Sequence, residues 1–245
     1  KHCESLSELT SLADVVFTVV SNDAAMRNIF IDGKDNLLQE SEGTVFVNCA
    51  TVSDIVQKDI DSAARSVGAS TLEGAMASSI SQAREGTLFL IIGGEEKIFL
   101  KLKPILDEMS VNLTHIGEIG KAAQVKALVN MVMNINTAAL AEGLGLADAL
   151  GLDLKTIVDV FSQTGANSRV LETDSDDMID RDHEAWFMAE HAAKDSGLAK
   201  DLADHVGLSL PLNDATKAQY DKLNELGKGQ LDKSAISELT FLSRL

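Results

Sequence analysis

Lys126, Asn130, Asn134 and Thr137 follow one another at steps of four, four and three. At about 100° per residue they fall within a sector of roughly 80° on one face of a helix. Around them Val125, Leu128, Val129, Val132, Met133, Ile135, Leu140, Leu144 and Leu146 supply apolar side chains over most of the circumference. The pattern predicts a helix over about 121–150, buried nearly all round. A lysine and two amides on such a helix need polar partners, because burying them unpaired costs on the order of several kcal/mol. Two arrangements meet that need: a hydrogen-bonded core stripe with a snorkelling lysine, or a polar cleft lined by the Lys126 ammonium.

A second helix, over about 184–206, places His191, Lys194 and Asp195 at i, i+3 and i+4, again on one face. That is either a solvated face with an ion pair or part of a site. Ser78 and Ser79 follow the small-residue run Gly74-Ala75-Met76-Ala77, and Asn48-Cys49-Ala50-Thr51 closes a β-branched run. Small residues let backbone approach a ligand or make a tight turn. Ligands of open α/β sheets bind outside the carboxyl ends of strands, which draws attention to these Ser and Thr positions. His115 and His205 have no partner pattern and are read as structural.

The elements that must carry these residues change character along the chain. Short apolar runs at 15–20, 45–49, 71–73, 87–92 and 113–116 alternate with helical stretches near 23–31, 53–67 and 95–108. This predicts an α/β domain over 1–118 with an open, largely parallel, doubly wound sheet of Rossmann type. The second of those helices is started by Ser53 or Thr51. After Gly120 the strand pattern stops, and helices broken near 151–153, 165–167 and 207–211 predict an all-helical domain over 119–245. The Gly-rich turn of a dinucleotide-binding domain is missing after the first run. Gly143-Leu144-Gly145 lies inside a helical period, and Gly117-Glu118-Ile119-Gly120-Lys121 lacks phosphate-loop spacing.

Across 245 residues, 38 Asp and Glu stand against 21 Lys and Arg, a formal net charge of −17. That balance repels nucleic acid and anionic membrane surfaces. The longest apolar runs, such as 88–92, are far too short to span a bilayer. Cys3 and Cys49 have no metal-ligand spacing around them, so neither a disulfide framework nor a metal site is expected, and a reducing, cytoplasmic setting is. No secretory signal opens the chain, and its first residue is Lys1, as in a fragment or a processed form.

The stretch Gly117-Glu118-Ile119-Gly120-Lys121-Ala122-Ala123-Gln124-Val125-Lys126, with Asn130 four residues on, resembles the catalytic-lysine segment of the β-hydroxyacid dehydrogenases. That family includes 3-hydroxyisobutyrate dehydrogenase, tartronate semialdehyde reductase and the glyoxylate/succinic semialdehyde reductases, with 6-phosphogluconate dehydrogenase as a larger relative. Residues 72–86 are similar to its substrate loop, 48–51 to its Thr-bearing strand end, and Lys194-Asp195 with Leu198-Ala199 to its C-terminal Lys-Asp motif. The resemblance implies an NAD- or NADP-dependent oxidoreductase acting on a small hydroxy acid or semialdehyde acid. It implies Lys126 as general acid/base, a role that suits an ammonium whose pKa burial can lower towards working pH. It further implies Ser78, Ser79 and Asn130 on the substrate, Asn22, Thr51, Lys194 and Asp195 on the cofactor, and a homodimer or homotetramer built through the helical domain.

Ala77 and Ser78 stand where the family has Ser and Gly, and Val129 stands where it has Asn. Relative to the family the chain begins just before the third strand, with no counterpart to the Gly-rich turn. Weak dinucleotide binding by these 245 residues is therefore expected, since the turn that holds the pyrophosphate has no match. The competing expectation is a non-catalytic, oligomerising module that keeps the fold.

Overall fold

The computed structural model describes residues 2–242 and 244, which form two compact units, Lys1–Ala127 and Leu128–Leu245. In the first unit, strands β1 (Val15–Thr18), β2 (Val45–Asn48), β3 (Ser70–Met76), β4 (Leu88–Gly93) and β5 (Ser110–His115) build one sheet in sequential order. All four residues of β2 are buried, as the unbroken apolar run Val45-Phe46-Val47 requires of a strand covered on both faces. Val16, Met26, Phe30, Phe46 and Ile60 pack together in one cluster. A second gathers Val45, Val47, Leu72, Leu90, Ile92, Leu102 and Leu106.

β1–β2, β2–β3 and β4–β5 pair parallel, but β3–β4 is antiparallel, with Glu73 opposite Gly93 and Met76 opposite Leu90. The sheet is largely parallel, as the alternation predicts, and this one reversal departs from a wholly parallel order. Its cause lies in the connection. Between Met76 and Leu88 the chain holds only the six-residue helix α4 (Ile80–Glu85), about 9 Å long, while a parallel return needs a crossover of about a dozen residues or more.

The other helices of this unit are α1 (Leu6–Leu12), α2 (Asp23–Arg27), α3 (Asp54–Ser66) and α5 (Glu96–Asp107). The helix predicted to 31 is α only as far as Arg27 and continues as a π turn over Asn28–Asp32. Ser53, not Thr51, caps α3, accepting from the Val56 N–H at 3.2 Å.

Helix α6 (Lys121–Ala149) starts in the first unit and runs into the second. The second unit continues with α7 (Leu154–Ser162), α8 (Arg169–Asp180), α9 (Ala189–Val206), α10 (Pro211–Glu225) and a 3-10 helix, Lys233–Leu239. Leu140, Leu144, Leu171, Met178, Tyr220, Leu223 and Ile236 form its core. Two expectations need correction here. α6 is not buried all round, because Leu128, Val129, Val132 and Leu146 are exposed. The helix predicted from about 184 begins at Ala189: the Asp232 carboxylate accepts the Trp186 and Phe187 N–H groups at 3.0 and 2.8 Å, holding that segment non-helical.

Candidate active site

Because β1, β2 and β3 are parallel, the residues that follow them emerge at one edge of the sheet. Asn22 follows β1, and its side-chain oxygen accepts the Ala25 N–H at 2.9 Å as the cap of α2. Thr51 follows β2 and is half-buried. The two loops are tied together by Asp23, whose carboxylate accepts the Ser53 N–H at 2.8 Å and the Ser53 hydroxyl at 2.6 Å. Below them Asn48, fully buried at the end of β2, accepts from Thr18 Oγ1 and donates to Gln57 Oε1, both at 2.9 Å. The structure thus brings Asn22 and Thr51 to neighbouring strand ends.

Ser78 and Ser79 follow β3 at the same edge, but both are engaged in the turn. Ser78 Oγ accepts the Phe89 N–H of β4 at 2.7 Å, and Ser79 shares a capping box with Gln82 at the start of α4. As they stand, these hydroxyls shape the loop.

Lys126 lies in the second turn of α6 and is buried. Gln124, on the same helix, donates to Asp54 at 3.0 Å, and Asp54 also takes the Lys58 ammonium at 2.6 Å. One turn beyond Lys126, Asn130 is buried and donates to Asp195 Oδ2 at 2.5 Å. Lys194 Nζ stands 3.0 Å from the other oxygen, Asp195 Oδ1. A solvated face is therefore not what α9 presents at this point, since Asp195 is 1 % exposed. Asn134 donates to Ala192 O and Ser196 Oγ, both at 3.1 Å, and Thr137 Oγ1 donates to Met133 O at 3.0 Å. Of the polar stripe, Asn134 and Thr137 belong to a hydrogen-bonded core, and Asn130 belongs to a charged cluster with Asp195 and Lys194.

His191 lies against the Phe187 ring. His115 stacks on Phe99, with Nε2 2.8 Å from Gly94 O, and His205 Nδ1 lies 2.8 Å from Asp201 O; both are structural. Among the described residues no cluster of three or more His, Cys, Asp or Glu side chains could hold a metal ion. No helix among them is long and apolar enough to cross a membrane.

A buried carboxylate that the motifs do not single out stands beside the start of α6. Glu73, in the middle of β3, is 1 % exposed and accepts the N–H groups of Gly120, Ala122 and Ala123 at 2.8, 3.3 and 2.9 Å. Its available signal was a carboxylate inside an otherwise apolar strand run.

Residues 1–117 match the family profile of the NAD binding domain of 6-phosphogluconate dehydrogenase, and residues 120–240 match that of the NAD-binding region of NADP-dependent 3-hydroxyisobutyrate dehydrogenase. Glyoxylate/succinic semialdehyde reductase 1 of Arabidopsis thaliana is 28% identical over 242 residues, covering 99% of this chain and 84% of the relative. The NAD-dependent L-serine dehydrogenase of Pseudomonas aeruginosa is 26% identical, over 93% of this chain and 78% of its own length. Among solved structures, 3-hydroxyisobutyrate dehydrogenase of Mycobacterium tuberculosis with L-serine superposes with a TM-score of 0.86 at 26% identity, covering 97% of this chain and 82% of that one. Two profiles that together span nearly the whole chain, on a Rossmann-type sheet followed by a helical unit, place it in the β-hydroxyacid dehydrogenase family of NAD(P)-dependent dehydrogenases and reductases.

Proposed function

We propose that the chain interconverts a small β-hydroxy acid with its aldehyde or semialdehyde acid, with Lys126 as the general acid/base. The observation that carries this reading is a buried lysine one helical turn from an Asn130–Asp195–Lys194 cluster. A bound nicotinamide would supply the hydride chemistry at the substrate's carbinol carbon. The work left to the protein is a proton at the substrate oxygen. A lysine performs it by donating from its ammonium to the developing alkoxide and taking the proton back in the reverse direction. Asn130, its amide fixed by the Asp195 carboxylate, holds the hydroxyl in line with Lys126.

Asn22 and Thr51 of the first unit, and separately Lys194 and Asp195 of the second, are assigned to the cofactor. Two neutral polar residues at neighbouring strand ends and an ammonium held by a buried carboxylate suit the amide and hydroxyl groups of a nicotinamide nucleotide. Ser78 and Ser79 receive the substrate carboxylate, which requires Ser78 to exchange its bond to the Phe89 N–H for one to the ligand. Residues 1–118 act mainly as a partial nucleotide-binding domain that also lends Ser78 and Ser79 to the substrate, while 119–245 supply Lys126 and Asn130, two of the cofactor residues and the assembly surface. The exposed apolar residues of α6 support a homodimer or homotetramer. Two free thiols, Cys3 and Cys49, fit a reducing cytoplasm.

A panel of small β-hydroxy acids and semialdehyde acids, offered to the full protein with NAD or NADP and followed by nicotinamide absorbance, tests the reading. Turnover of at least one substrate carrying a carboxylate is expected. Turnover confined to uncharged alcohols or carbonyls would overturn the carboxylate assignment.

A further inference from the structure

We propose that Glu73 is a positioning residue for the acid/base lysine: its carboxylate fixes the first turn of α6, and through it the place of Lys126. This rests on the reading of Lys126 given above. A helix start leaves its first N–H groups without partners, and a Ser, Thr, Asp or Asn just before the helix normally accepts one of them. Before α6 stands Gly120, which has no side chain to offer. The cap is brought instead from β3, 47 positions earlier in the chain: Glu73 Oε2 accepts from Gly120 and Ala122, and Oε1 from Ala123. The neighbouring donors are already used, Lys121 N–H on Glu118 O and Gln124 N–H on Gly120 O, both at 3.1 Å. One carboxylate thus completes the set, and its charge faces the positive end of a 29-residue helix.

The strand side is equally fixed. Glu73 lies between Asn48 of β2 and Gly93 of β4 in the sheet register. A Cβ on Gly93 would collide with Glu73 Oε2 and stand 3.1 Å from the Ala122 nitrogen, so the glycine keeps open the space in which carboxylate and helix meet. Helical side chains lean towards the N-terminus, so the turn that Glu73 holds is the platform beneath Lys126, three residues after Ala123. A shift of that turn moves the ammonium away from its line of proton transfer.

The arrangement needs the carboxylate ionised, because a proton on either oxygen removes an acceptor facing N–H groups. Burial pushes Glu73 up to about 6, the three N–H bonds oppose that rise, and the charge of Asp54 on α3 adds to it. Asp54 is itself paired with Lys58 of the same helix. Lys121 and Lys126 are the cations on this stretch of α6, and His115 lies on β5. Glu73 is therefore charged at neutral pH and loses its charge just below it.

Glu73→Gln in the full protein is expected to lower kcat about tenfold with KM within about twofold, and to abolish an acid limb of kcat near pH 6. Glu73→Asp keeps the carboxylate, so the limb persists and part of kcat returns. A Gln variant with parental kcat and an unchanged limb overturns the proposal. A second readout needs no substitution and no turnover: in the unaltered protein, hydrogen-exchange protection at Gly120, Ala122 and Ala123 should fall as pH drops through about 6. Constant protection between about pH 7 and 5 overturns the proposal even if the Gln variant fails to fold. If Lys126→Ala retains parental turnover while protection still falls near pH 6, the lysine reading fails and the Glu73 clamp stands.

Discussion

Asp195 illustrates how much a single buried carboxylate does. It takes the Asn130 amide at 2.5 Å and holds the Lys194 ammonium at 3.0 Å, with almost no solvent to share the charge. Asp195→Ala should leave the Asn130 amide without its acceptor, at a cost of about 1–3 kcal/mol in stability. Turnover should fall by about tenfold or more, because Asn130 no longer holds its line with Lys126. Thermal melting and steady-state kinetics check both, and an Ala variant with parental stability and rate would remove Asp195 from the site. The Lys126-to-Thr137 spacing and the Lys194-Asp195 pair were legible in the sequence because a 3.6-residue period reveals which polar groups share a face. What the period cannot reveal is the partner: the Asp195 carboxylate that accepts from Asn130 lies 65 positions along the chain, on another helix. Glu73 shows in the sequence only as a carboxylate in an apolar run, since its meaning lies in a helix start 47 positions later.

At the scale of elements, strand positions followed from β-branched runs, while the reversal at β4 did not, because direction depends on the length and path of the connection. The junction of β3, β4 and α6 meets at Gly93. Gly93→Ala should cost about 1–3 kcal/mol through overpacking, and thermal melting should show it; a melting temperature equal to the parent's would mean the helix start yields freely. The 3-10 helix Lys233–Leu239 carries a second test. Its Glu238, 4 % exposed in the side chain, is desolvated by burial, but Arg181 and Lys228 at 2.6 and 3.1 Å more than offset this and pull its carboxyl down to about 2. A depressed carboxyl stabilises the fold above its unfolded pKa near 4.5, and the contribution is lost as pH falls from there towards 2. Glu238→Gln should flatten the fall of melting temperature across that window. An equally steep fall in the variant would assign the acid sensitivity elsewhere.

For the whole molecule, Leu128, Val129, Val132 and Leu146 leave one side of α6 apolar and exposed in a single chain. Burial of that surface against a symmetric copy is the simplest remedy. Light scattering at micromolar concentration should give a multiple of the chain mass, and a monomer would refute the expectation. The change of period near residue 120 puts the expected boundary at 118/119, whereas the compact units part at Ala127/Leu128, inside α6, because a helix that long shows no break in its period at that point. Whether Lys126 moves the proton is decided by Lys126→Ala in the full protein, with turnover and nucleotide affinity measured on the same sample. A loss of about a thousandfold or more in turnover with nucleotide binding nearly intact is expected, because the lysine acts on the substrate oxygen and not on the cofactor phosphates. Turnover within about threefold of the parent would contradict it.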